Sequence, residues 1–381
     1  MSRLEKPPAG GLPAGARRLH HAAPWDFVLG RSIPEAWFAY QTWGRLDSKQ
    51  DNVILLCTGL SASSHARSHP ENPQPGWWEG MVGPGLAIDT DRWFVVCANV
   101  LGGCFGTTGP ASIDPRSGRP YGSDFPPVTV WDFVRGHRFV LSQLGIDRIH
   151  AAIGASLGGM QALAFAASYP QSVRRVVAIS SPARSYPLSI AFRHVQREAV
   201  MRDPHWQGGH YYGTEGPRQG LHLARQLGTI TYRSGPEWDE RFARERTREQ
   251  TTDLSTDFQI ESYLTYQGDK FAANYDPNSY LYISKAMDLF DLADGTSSLQ
   301  AGVARIVAES LVIGVSTDML FPIHQQEELF RLLHQAHGRV RFFPIESIYG
   351  HDAFLIELEP FGSAIRPFLE AEGSGVSPRS S

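Results

Sequence analysis

Residues 149–169 read IHAAIGASLGGMQALAFAASY, and this stretch decides the fold. Its first five residues, 149–153, form an apolar run long enough for one buried strand. Gly154-Ala155-Ser156-Leu157-Gly158-Gly159 follows, then an Ala-rich helical run over 160–168 that Pro170 brings to an end. The order is strand, sharp turn, helix, with serine at the apex. G-x-S-x-G needs that context: glycines two residues to either side let strand and helix pack closely beneath a strained nucleophile. The next backbone N–H, on Leu157, lies at the helix N-terminus, where an oxyanion can be stabilised.

Outward from this turn, the chain alternates buried strands with helices. A continuous apolar run at 53–57 (VILLC) reads as a strand covered on both faces, 93–100, 175–180 (RVVAIS) and 310–315 (SLVIGV) read as further buried strands, and 340–345 reads as the last strand. Residues 27–29 and 36–42 read as an opening pair of short strands. Residues 129–144 place Val130, Phe133, Val134 and Val140 on one helical side, with Gly145 as a stop signal, and 323–334 is a second helix. This spacing predicts an α/β fold, a mainly parallel central sheet with helices on both faces. From 186 to 299 the strand alternation stops. Helical segments at 190–201, 219–231, 258–267 and 279–289 take over, and the charged piece 239–257 reads as a solvated surface. The interval is expected to be an inserted helical cap. The predicted layout is therefore a disordered arm (1–23), a first core part (24–185), the cap (186–299), a second core part (300–371) and a flexible tail (372–381). The long loop 101–127, rich in glycine, proline and aromatics, is expected to be ordered and to line the site.

The composition excludes several classes of function. With 381 residues, 42% hydrophobic and 19% charged, the chain can bury a large core. A net charge of −4 with scattered basic residues gives no nucleic-acid surface. No apolar stretch approaches the ~18 residues of a membrane span, and the N-terminal residues lack a hydrophobic signal region. Cys57, Cys97 and Cys104 are odd in number and lack metal-site spacing. They read as small buried side chains in a reducing, cytoplasmic setting, and no metal is expected.

Two further residues complete a chemical set. Asp318 follows the 310–315 strand and His351 follows the 340–345 strand, giving the chain order Ser156, Asp318, His351. A serine hydroxyl is a poor nucleophile until a base takes its proton. Histidine does this near neutral pH, and a carboxylate holds its correct tautomer and stabilises the imidazolium. Loops at the carboxyl ends of parallel strands share one edge of the sheet. The loop after 53–57 lies on that edge too, and Leu60 N–H is the candidate second oxyanion donor beside Leu157.

GASLGGMQAL, the loop NVLGGCFGTTGPASIDPRSGRPYGSDFP, TDMLFP at 317–322 and YGHDAFL at 349–355 resemble the homoserine O-acetyltransferase family of α/β-hydrolase-fold acyltransferases. The resemblance runs over about 27–369. TGLSASSHA at 58–66, ITYRSGPEW at 230–238 and YDPNSYLYISKAMDLFD at 275–291 resemble its serine O-acetyltransferase branch. Homoserine enzymes more often have a His-Ala-Leu sequence where this chain has Cys57-Thr58-Gly59-Leu60. The resemblance implies that Ser156 accepts an acyl group from an acyl-CoA, that His351 is the general base and acid, and that Asp318 orients it. It further implies that Arg225 binds the carboxylate and Asp352 the ammonium group of L-serine or L-homoserine. Succinyl-transferring relatives often carry arginine two residues after the catalytic aspartate. Here that residue is Leu320, which implies acetyl-CoA as co-substrate, with succinyl-CoA as the alternative and no tightly bound cofactor. A homodimer joined through cap helices is also implied. An esterase or thioesterase on the same fold remains the rival reading, because fold and triad are common to both.

Overall fold

The apolar runs form strands and the amphipathic runs form helices in a computed structural model that describes residues 11–247, 253 and 257–371. In chain order the strands are β1 (Arg17–His21), β2 (Trp25–Asp26), β3 (Ser32–Ile33), β4 (Ala36–Trp43), β5 (Val53–Cys57), β6 (Phe94–Ala98), β7 (Ile113–Asp114), β8 (Arg119–Pro120), β9 (Ile149–Ala155), β10 (Val173–Ile179), β11 (Glu309–Val315) and β12 (Val340–Ile345). The helices are α1 (Val130–Gln143), α2 (Leu157–Ser168), α3 (Pro187–Met201), α4 (Arg218–Tyr232), α5 (Gly235–Phe242), α6 (Gln259–Ala272), α7 (Pro277–Asp288), α8 (Leu299–Val303), α9 (Ile323–His337), α10 (Ala353–Ile356) and α11 (Leu358–Glu370).

Eight strands make one sheet in the order β1-β4-β6-β5-β9-β10-β11-β12. The β1–β4 and β4–β6 pairings are antiparallel and all others are parallel. β5 and β9 are buried at every position, as strands covered on both faces must be. The side chains of alternate residues feed two cores. Leu55, Val96 and Ala152 meet the α1 and α2 side, with Phe133 and Phe165. Ile54, Val95 and Ile153 meet the α11 side, with Phe361 and Phe368. α1 opens with a capping box between Thr129 and Asp132, and Asp132 also accepts from Val28 N–H at 2.8 Å.

Among the described residues six helices, α3 to α8, stand between β10 and β11, and α3 to α7 occupy the interval where the sequence predicts a helical cap. α3 packs on α4 and α7, and α4 on α6. Two buried arginines of α3, Arg193 and Arg197, grip the buried carboxylate of Asp288 on α7. The cap is also tied to the core: Ser234 Oγ donates to the Ile348 carbonyl. Gly350, at φ +63°, lets the backbone of Arg233 approach so closely that a Cβ there would lie 2.9 Å from it.

Three expectations are corrected. The arm over 1–23 is not disordered throughout, because β1 extends the sheet by pairing with β4. Backbone ladders need no apolar run, and Trp37 of β4 supplies the missing contacts: His20 stacks on it at 4.1 Å and Arg18 lies over it at 4.5 Å. Residues 27–29 form a turn rather than a strand, closed by Gly30 N–H to Phe27 O, and Val28 and Leu29 are exposed. The loop 101–127 is ordered around the β7–β8 hairpin, but its conformation serves the core. Thr107 and Thr108 hydroxyls accept from Ala39 and Trp37 N–H groups; no residue of 101–127 lines the cavity around Ser156, and Phe105 alone of the loop reaches the adjoining cavity that holds Arg225. The charged piece 239–257 begins in α5 and falls partly outside the described residues, and 1–10 and the predicted tail 372–381 lie wholly outside them. No helix among the described residues is long and apolar enough to cross a membrane.

Candidate active site

Ser156 follows β9 directly and precedes the first residue of α2. Its backbone has φ 57°, ψ −124°, a conformation that costs a non-glycine residue about 1–3 kcal/mol and persists only where the surroundings over-determine it. They do so here. A Cβ on Gly154 would lie 2.1 Å from the Gly158 carbonyl carbon, and one on Gly158 would lie 2.4 Å from Cys57 O. Ser156 N–H donates to Ile179 O at 2.9 Å, and Ser181 Oγ donates to Ser156 O at 2.6 Å. The glycines thus have the packing role that the sequence predicts.

The loop after β5 is fixed from both sides. Buried Gln161 of α2 donates to Thr58 O at 2.8 Å, and its Oε1 lies 2.7 Å from His137 Nε2. Burial holds the His137 pKa down at about 4, so the imidazole is neutral and donates from Nε2. On the cap side Tyr275 O–H donates to Leu60 O at 2.7 Å. Among the described residues no backbone acceptor takes the Leu60 or Leu157 N–H.

His351 and Asp318, 33 residues apart, meet at the sheet edge: His351 Nδ1 lies 2.7 Å from Asp318 Oδ2. Asp318 Oδ1 accepts from the N–H groups of Leu320 and Phe321 at 2.9 Å each. Burial works to lower the His351 pKa. The adjacent Asp318 charge and hydrogen bond, with Asp352 adding, overcome it, and the net direction is upward. Ser156, His351, Leu60, Leu320 and Asp352 all line one cavity of about 190 Å³.

The two proposed acceptor contacts separate. Asp352 lines this cavity, with Arg233 Nε at 3.4 Å from its Oδ2. Its pKa is raised by burial, against the pull of Arg233, His351 and Arg225. Arg225 is not in the cavity. It lines a neighbouring one with Phe105, Phe271 and Tyr275, its guanidinium 4.8 Å above the Phe271 ring and 5.5 Å from that of Tyr232. Tyr232 lines the Ser156 cavity and its ring centroid lies 6.0 Å from that of His351, so it neighbours both Arg225 and His351. Ser61 lines both cavities, which therefore adjoin.

Sequence reading missed Arg193 and Gln196 of α3, both 3% exposed and both lining the Ser156 cavity. Arg193 Nε lies 2.6 Å from Asp288 Oδ1 and its Nη2 reaches the hydroxyls of Ser185 and Ser189, but Nη1 is buried without a partner among the described residues. The only signal in the sequence was two polar side chains a turn apart on a cap helix, which is common on any exposed helix.

The alpha/beta hydrolase fold description matches residues 52–357. Over 363 residues the chain is 48% identical to a serine O-succinyltransferase of Litchfieldella anticariensis, spanning 94% of this chain and 99% of that one. Over 344 residues it is 47% identical to a homoserine O-acetyltransferase of Moorella thermoacetica, spanning 90% and 92%. The crystal structure of homoserine O-acetyltransferase from Bacillus anthracis superimposes with a TM-score of 0.87 at 30% identity, covering 94% of this chain and 98% of that one. Fold, sequence and the arrangement around Ser156 agree: this chain is an acyltransferase of the homoserine O-acyltransferase family, on the α/β-hydrolase fold.

Proposed function

We propose that the protein moves a succinyl group from succinyl-CoA to the side-chain hydroxyl of L-serine through an acyl-Ser156 intermediate. Ser156 Oγ attacks the thioester carbonyl as His351 Nε2 takes its proton. Leu60 and Leu157 N–H groups hold the oxyanion. The C–S bond breaks, the proton passes to sulfur, and CoA leaves as the thiol. The hydroxyl of serine then attacks the acyl-Ser156 carbonyl, giving its proton to His351. The bond to Ser156 Oγ breaks, that oxygen recovers the proton, and the O-acyl amino acid departs. Asp352 receives the acceptor's ammonium group. An acceptor seated where the two cavities adjoin also reaches Arg225 with its carboxylate.

Arg193 carries the choice of donor. A buried guanidinium N–H left without an acceptor is costly, and a carboxylate delivered by the ligand removes that cost with a charge-assisted bond. The free carboxylate of a succinyl group fits this need, and the serine O-succinyltransferase named above supports the same choice of donor and acceptor. A second reading, acetyl transfer, is favoured by Leu320, apolar and 5% exposed in the same cavity. The succinyl reading takes its cation from α3 instead of from position 320.

The test is acyl-enzyme trapping. Protein mixed with succinyl-CoA in the absence of acceptor is quenched and digested, and the Ser156 peptide is weighed. It should carry one succinyl group, and acetyl-CoA should label it more slowly. A Ser156 peptide left unmodified by either donor would overturn the proposal.

A further inference from the structure

Gln196 stands one helical turn after Arg193, on the same face of α3 and at the wall of the same cavity. Its Oε1 accepts from Tyr280 O–H at 2.6 Å. Tyr280 is 2% exposed and its hydroxyl has no other acceptor among the described residues. The phenol must therefore donate, and that fixes which end of the amide faces it. The Nε2 of Gln196, which has no partner among the described residues, is the end left for the cavity. The cap thus sets Gln196 Nε2, with no acceptor among the described residues, one helical turn from the buried Arg193 guanidinium at the wall of the same cavity.

We infer that Gln196, oriented by Tyr280, is the second donor to the terminal carboxylate of the acyl group, and so a specificity-determining residue for a dicarboxylic over a monocarboxylic acyl-CoA. The inference rests on the succinyl reading above. One carboxylate has two oxygens, and an amide N–H₂ beside a guanidinium on the same helix would bind it in one orientation. Tyr280 acts only through Gln196 and is a positioning residue.

The experiment measures kcat/KM for succinyl-CoA and for acetyl-CoA at saturating L-serine, in the wild type, Gln196→Leu, Gln196→Glu and Tyr280→Phe. Gln196→Glu is nearly isosteric and keeps an acceptor for Tyr280, so it guards against a fold defect in Gln196→Leu. Both Gln196 variants should lose about tenfold or more with succinyl-CoA, as expected for one hydrogen bond to a charged group, while acetyl-CoA turnover changes less than about twofold. Tyr280→Phe should give a smaller loss of the same sign, since the freed amide can turn either end to the cavity. Equal losses with both donors would overturn the inference, as would a rise in the serine KM with the donor ratio unchanged, which would assign Gln196 to the acceptor. A wild type that does not use succinyl-CoA would overturn the donor reading itself. A wild type that prefers succinyl-CoA while Gln196→Leu keeps that preference would overturn this inference alone.

Discussion

Asp318 divides its two oxygens between two tasks: Oδ2 lies 2.7 Å from His351 Nδ1, and Oδ1 takes the backbone N–H groups of Leu320 and Phe321. In Asp318→Asn the amide oxygen would keep the two backbone donors, leaving an N–H₂ group facing His351 Nδ1. Histidine would then accept at Nδ1 and carry its proton on Nε2, where it can no longer receive one from Ser156. Turnover should fall by about 10³–10⁴-fold with the fold intact, as measured by kcat alongside circular dichroism.

The pH profile follows from the same pair. Burial pulls the His351 pKa down, but the Asp318 charge and hydrogen bond bring the net direction above the ordinary imidazole value. A general base works only when neutral, so the acylation rate should be lost as pH falls through that raised pKa. In Asp318→Asn burial is left without its main counterweight, and the acid limb of the residual activity should move to lower pH. Stopped-flow acylation across pH checks the direction.

Asp352 must be ionised to hold an ammonium group. Burial raises its pKa, and the Arg233 charge, at 3.4 Å, works most strongly against that rise. Replacing Arg233 by Gln should raise the Asp352 pKa further, so that the serine KM climbs steeply toward acid pH while the donor half-reaction is little changed. Asp352→Asn should raise the serine KM by about 10-fold or more at every pH, from the loss of one charge-assisted contact.

Gly154 is a packing requirement rather than a flexible joint. An alanine Cβ would lie 2.1 Å from the Gly158 carbonyl carbon, so strand and helix must separate beneath the serine. Gly154→Ala should cost about 2–4 kcal/mol in denaturant unfolding and lower activity through misplacement of Ser156.

Arg193→Leu removes the buried guanidinium from the cavity wall while Arg197 still neutralises Asp288. The kcat/KM with succinyl-CoA should fall by about 10–100-fold and that with acetyl-CoA should change far less, the difference being one hydrogen-bonded charge.

The core was legible because its signals are local. VILLC at 53–57 is apolar throughout and SLVIGV at 310–315 has no polar side chain after Ser310, and only strands buried on both faces need such runs. Ser156, Asp318 and His351 were legible for a related reason: each follows a readable strand, and parallel strands bring such ends to one edge. β1 was not legible, since RRLHH owes its place to backbone pairing and to Trp37 across the ladder. Arg193, Gln196 and Tyr232 were hidden because their burial depends on how the cap helices fold back over the sheet, which no local pattern records. The same lack hid the placing of Arg225 and Asp352 in two adjoining cavities.

The most direct test is CoA release by the purified protein supplied with succinyl-CoA or acetyl-CoA and with no acceptor, L-serine or L-homoserine. The account predicts fast, acceptor-dependent release, greatest with succinyl-CoA and L-serine together. Release at the same rate without any amino acid would make the protein a thioesterase and contradict it.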